Sequence, residues 1–140
     1  MEFPIYLLNR IKPMPAPLEQ SLRYYLECKT IPKGEIICRE GEICKYIYFI
    51  RKGRVRYFNY GKGGREVFRG FRNAGDLIFP EDHGPSHCNM QATEDCEYWC
   101  ILLEDYLGVY EQFPEFKEYG LFLEERCQLL EEQDFLARII

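Results

Sequence analysis

Glycine cuts the middle of this chain into pieces too short for long helices. Gly34, Gly41, Gly53, Gly61, Gly63-Gly64, Gly75 and Gly84-Pro85 separate stretches rich in β-branched and aromatic residues, at 35–38, 46–51, 54–60, 65–71, 76–79, 88–92 and 96–103. Short strands with a turn signal every ~8–12 residues predict an antiparallel sandwich, jelly roll or small barrel, because short strands protect their edges only by folding back on one another. Asn59-Tyr60-Gly61-Lys62-Gly63-Gly64 reads as a hairpin tip whose glycines supply the positive φ that a Cβ penalises. Aromatics at 16% suit this β-rich reading, and 140 residues suit one compact domain.

The flanks change period. Pro13, Pro15 and Pro17 mark an extended lead-in. Leu18, Leu22, Tyr25 and Leu26 then recur at helical spacing, predicting an amphipathic helix over 17–28. At the other end, Asp105 is placed to cap a helix that closes near Phe113, and Pro114 breaks it. Beyond it, Phe116, Leu123 and Leu130 recur every seven residues, as do Phe122, Leu129 and Leu136. Two adjacent apolar stripes predict a long helix that packs on the sheet, on a second copy, or on both. Glu124, Glu125, Glu131, Glu132 and Asp134 form its solvated face. The expected organisation is an arm and helix over 1–28, a β-roll over 29–103 and helices over 104–140.

A net charge of −5 argues against a general nucleic-acid binder, but the charge is unevenly spread. Residues 23–72 hold 13 Lys/Arg against 5 Asp/Glu, whereas residues 73–140 hold 3 against 16. Arg51, Lys52, Arg54, Arg56, Arg65, Arg69 and Arg72 are expected on a solvated outer face, paired with the acidic helices. The alternative is a regulator or nucleic-acid contact. Seven cysteines without paired spacing argue against a secreted disulfide framework. Cys96 and Cys100, four apart on one strand, would stand about 13 Å apart, beyond the roughly 4.4–6.8 Å of a disulfide. The cysteines are expected as buried thiols in a reducing cytoplasm. The start of the chain lacks the pattern of a signal peptide, and the longest apolar run, Tyr46–Ile50, is too short for a bilayer.

The stretch from Lys33 to Arg56 resembles the cyclic-nucleotide-binding domain of Crp/Fnr-type transcription regulators. Gly34, Gly41 and Gly53 hold its turn positions, and Tyr46, Ile47, Tyr48, Phe49 and Ile50 its central strand. Asn73-Ala74-Gly75-Asp76-Leu77 is similar to the segment leading into the ligand loop. Tyr106 and Phe113-Pro114-Glu115-Phe116 are similar to the step before the family's dimer helix. The resemblance implies a mainly β fold, an antiparallel jelly-roll-like β-roll of eight strands with an N-terminal helix and a long C-terminal dimerisation helix. It also implies a homodimer through Phe116, Phe122, Leu123, Leu129, Leu130 and Leu136. DNA would be reached only through a helix-turn-helix domain that this chain does not contain.

In that family a Gly-Glu pair and a following Arg hold the cyclic phosphate. Here Phe79-Pro80 stand at the Gly-Glu position, Ser86 stands at the Arg position, and no Arg or Lys occurs between Arg72 and Lys117. Glu81 and Asp82 would repel an anion. The expectation is a sensor whose pocket does not take cyclic AMP or cyclic GMP in the usual manner. Any ligand is expected to be uncharged or cationic, and candidate pocket residues are Asp76, Leu77, Phe79, Glu81, Ser86, His87, Cys88 and Met90. No cofactor is expected beyond a small-molecule effector of unknown identity. The alternatives are a stand-alone β-roll interaction or scaffold protein, or a cupin-like metalloenzyme. His83 and His87, near Glu81, Asp82 and Cys88, could ligate metal, but the tight His-x-His pair of such sites is absent, so no metal is expected. With no nucleophile constellation or phosphate loop, the chain is not expected to be an enzyme.

Overall fold

The computed structural model describes residues 3–80 and 84–139, with side chains described for 4–80 and 84–134. The helices α1 (Phe3–Ile11) and α2 (Ala16–Tyr25) lead into β1 (Glu27–Ile31), β2 (Ile36–Cys38), β3 (Tyr46–Lys52) and β4 (Arg54–Tyr60). A short 3-10 turn precedes β5 (Glu66–Asn73), β6 (Leu77–Ile78), β7 (Asn89–Ala92) and β8 (Cys96–Leu102). The helices α3 (Leu103–Gln112) and α4 (Phe116–Ile139) close the chain. The eight strands form two four-stranded antiparallel sheets, ordered β1-β8-β3-β6 and β2-β7-β4-β5. The expected β-roll with flanking helices is present.

The apolar run at Tyr46–Ile50 has a structural cause. Ile47 and Phe49 face a helical layer that includes Leu18, Leu22, Tyr106, Phe116 and Leu123. Tyr48 and Ile50 face the interior of the roll with Val55, Ile78, Met90, Cys96 and Cys100. A strand covered on both sides loses the polar–apolar alternation of a half-exposed one.

Three elements differ from the sequence reading. The helix expected to reach residue 28 stops at Tyr25, where Leu26 takes an extended conformation and begins the approach to β1. In β1 four of five residues are exposed and only Ile31 is buried, so an edge strand lacks the apolar signal that would have marked it. Helix α1 was not anticipated at all. Of its described side chains only Pro4, Ile5 and Leu8 are buried, too few to show a period.

The turn between β3 and β4 depends on Gly53. Its φ is +96°, and a Cβ there would lie 2.6 Å from Cys96 Sγ and 2.7 Å from the Asp95 carbonyl. Gly53→Ala is therefore expected to cost about 2–4 kcal/mol, combining left-handed strain with overpacking against backbone. A urea midpoint unchanged from the parent would contradict it.

The expectation of thiols throughout is corrected. Cys38 and Cys44 form a disulfide with Cα atoms 6.2 Å apart, closing the loop between β2 and β3. Five residues intervene, and the chain turns back where β2 leaves the sheet, a closeness invisible in spacing alone. Cys28 is exposed, while Cys96 and Cys100 are buried free thiols as expected. No helix among the described residues is long and apolar enough to cross a membrane.

Candidate functional site

The site grows from the β4–β5 hairpin. Register pairs Tyr57 with Gly70 and Phe58 with Phe68, leaving Arg69 as the extra residue of a bulge. In a regular strand, residues three apart face opposite sides. The bulge removes that alternation, so Arg69 and Arg72 line one cleft. Asn59 fixes the first, accepting a 2.7 Å hydrogen bond from Arg69 Nε.

Arg72 is 4% exposed. Its Nη1 donates to Asp134 Oδ2 at 2.7 Å and to the Phe71 carbonyl at 2.9 Å. The guanidinium lies 4.6 Å from the Tyr57 ring centre. Asp134 comes from α4, and its carboxylate rests against Gly70 in space that a Cβ would fill. Burial opposes the charge on Arg72, but Tyr57 and Asp134 outweigh it and hold the pKa above its ordinary value. Burial raises the Tyr57 hydroxyl, with Arg72 opposing it only in part. Burial likewise pushes the Cys127 thiol up to about 12 despite nearby Arg72, so it stays protonated and unreactive at neutral pH.

Two neighbouring spaces result. An inner cavity of about 50 Å³ is lined by Tyr57, Arg72, Leu77, Phe79, Ser86, Cys88, Met90, Cys127 and Glu131. An outer cleft of about 320 Å³ shares Tyr57, Arg72, Cys88 and Glu131 and adds Arg69, His87 and Asp134. The disulfide loop supports the wall. Gly41 N donates to the Ser86 carbonyl at 2.9 Å, and Ser86 N donates to the Glu42 carbonyl at 2.8 Å. The Ser86 hydroxyl donates to the Cys88 carbonyl at 2.8 Å.

Of the residues picked from sequence, Leu77, Phe79, Ser86, Cys88 and Met90 meet at the inner cavity and His87 at the outer cleft. Asp76 instead accepts the Asn73 N–H at 2.7 Å and stabilises the turn before β6. Glu81, with Asp82 and His83, lies outside the described residues. Among the described residues no group of three or more metal-ligating side chains forms.

Sequence reasoning missed Tyr57, Arg69, Arg72, Cys127, Glu131 and Asp134. It also placed the pocket in the half of the chain poor in cations, and that is corrected. β5 brings two arginines to the pocket wall, and Arg72 is buried rather than on a solvated face. Arg54 and Arg56 do lie outward, stacked on Phe71 at 4.3 Å and Phe58 at 4.0 Å. Arg56 pairs with Glu66 of its own hairpin rather than with an acidic helix. The polarity of the chain, basic before residue 73 and acidic after it, was the one signal that pointed towards a β5–α4 ion pair.

The stripes of α4 divide. Phe116 and Leu123 are buried in the domain's own core, and Phe122 packs at its margin. Leu130 is half-buried, while Leu129 is 58% exposed and Leu121 47%. Leu136 lies outside the residues whose side chains are described.

Two antiparallel sheets rolled together, with a long C-terminal helix lying across a cleft in their wall, define a β-roll domain of the effector-domain type. The profile of the family described as "Cyclic nucleotide-binding domain" matches residues 28–113, and the chain belongs to that family, with Crp/Fnr regulators among its relatives. It is 31% identical over 104 residues to the Cyclic AMP receptor protein of Thermus thermophilus, covering 71% of this chain and 48% of the relative. It is 31% identical over 85 residues to the Fumarate and nitrate reduction regulatory protein of Escherichia coli, covering 57% of this chain and 34% of the relative. The crystal structure of the Thermus thermophilus Catabolite Activator Protein superposes with a TM-score of 0.63 at 26% identity, over 89% of this chain and 60% of that one. The chain thus spans about half or less of the curated relatives it matches.

Proposed function

We propose that this domain is the effector-sensing part of a Crp/Fnr-type transcription regulator, is not an enzyme, works in the cytoplasm, and does not hold cyclic AMP or cyclic GMP in the family's usual manner. One observation carries the reading. The buried guanidinium of the pocket, Arg72, is already neutralised by Asp134 of the closing helix. The segment between β6 and β7 brings no Arg or Lys to hold a cyclic phosphate, and Ser86 is turned onto the Cys88 backbone.

Exposed Leu121 and Leu129 on α4 support a homodimer through that helix. DNA would be reached through a separate helix-turn-helix domain. Native mass spectrometry with added cyclic AMP tests both parts. The expected result is a dimer mass with no saturable nucleotide adduct up to about 1 mM, where even a free energy near −4 kcal/mol would register. A strict monomer at micromolar concentration would remove the dimer, and tight cyclic AMP binding would remove the sensor reading as stated.

A further inference from the structure

Resting on that sensor reading, we propose that the cleft between β5 and α4 takes a small organic acid, whose carboxylate replaces Asp134 on Arg72 and so releases the end of the closing helix. The present occupant of the site is itself a carboxylate. Asp134 reaches Arg72 at 2.7 Å and fits over Gly70, which offers no Cβ to obstruct it. The fold therefore already displays the geometry in which this guanidinium accepts a carboxyl group. A buried arginine must keep an anionic partner, because leaving it uncompensated is costly, while exchanging one carboxylate for another is not.

The exchange itself is close to neutral, so affinity must come from other contacts. The bulge provides one by turning Arg69 into the same cleft, and Tyr57 supplies the ring face beneath Arg72. The cleft, about 320 Å³, suits a ligand of a few carbon atoms with a second acidic or polar group for Arg69. Glu131 and Asp134 face the same space. Their charge disfavours highly charged anions and selects for a ligand that displaces Asp134 rather than adding to it. Asp134 stands on α4, the helix that carries exposed Leu121 and Leu129. Freeing it couples occupancy of the cleft to the helix that the sensor reading assigns to dimer contact.

The test is calorimetric titration of the 140-residue protein with succinate, and in parallel with inorganic phosphate, at constant ionic strength. Succinate is expected to bind saturably. Asp134→Asn, which removes the competing charge but keeps the side-chain shape, is expected to tighten it about tenfold, as removal of an internal competitor should. Arg72→Met is expected to abolish it, with circular dichroism confirming the fold. Asp134→Asn also serves if Arg72→Met fails to fold, because a structural role alone predicts no gain in affinity. Phosphate binding in place of succinate, no succinate binding to either the parent or Asp134→Asn, or binding unaffected by Asp134→Asn would each overturn the proposal. A cyclic AMP titration of the same samples keeps the two readings separate. Nucleotide binding removes the sensor reading, whereas its absence together with absence of succinate binding removes only this inference.

Discussion

Replacing Phe116 with alanine should lower the unfolding free energy by about 3–5 kcal/mol, a large part of the total stability of a domain this size. Phe116 is 1% exposed, and its ring lies 5.4 Å from Tyr106, 5.0 Å from Tyr110 and 6.0 Å from Tyr119. Removing it leaves a void where α3, α4 and the first sheet meet, and three aromatic neighbours cannot collapse into it without leaving their own contacts. Urea unfolding should show a lower midpoint at unchanged slope. The paired control is Leu129→Ala on the exposed side of the same helix. It should change monomer stability by about 0.5 kcal/mol or less while weakening self-association. Equal losses for the two variants would show that α4 does not have the two distinct faces described here. The only glycine of α4 belongs to the same cluster. The Tyr110 hydroxyl occupies the place of a Gly120 Cβ, so the helix tolerates a poor helix former to keep that ring packed.

The second large effect is expected at the β5–α4 ion pair. Asp134→Ala should cost about 2–4 kcal/mol, because it strands a guanidinium that is 4% exposed. The partial exposure of Asp134, 20%, places the effect below that of a fully enclosed pair. Replacing both residues together, Arg72→Met with Asp134→Leu, should recover most of the loss, since apolar groups of similar size do not carry the desolvation penalty. A double-mutant cycle measures the coupling. A coupling below about 0.5 kcal/mol would reduce the contact to an ordinary surface pair and remove the anchor of the closing helix.

Much of the architecture was legible because its causes are local. Glycine at turns, the alternation of strands and the break at Pro114 each act within a few residues, so they survive in a one-dimensional reading. Elements with weak local signals were lost. β1 exposes four of five residues at a sheet edge, and of the described side chains of α1 only Pro4, Ile5 and Leu8 are buried. The continuous run Tyr46–Ile50 was recognisable as a strand, but its cause, burial between the roll interior and the helical layer, was not. The candidate site was half legible. The residues near the β6–β7 segment could be picked out by position relative to Gly75-Asp76, and five of them do meet at one cavity.

By itself the sequence determined the β-roll, seven of its eight strands, the helices α2, α3 and α4 and the family, since turn chemistry, periodicity and motif spacing all pointed the same way. It also determined that opposite charges lie in opposite halves of the chain. Only the tertiary structure decided which of those charges meet. Arg72 and Asp134 are 62 residues apart, and their contact depends on a one-residue bulge at Arg69, a missing Cβ at Gly70 and the path of α4 across the sheet. Composition records the sign of each charge, but its partner, and therefore the character of the pocket, is set by geometry that no local pattern encodes.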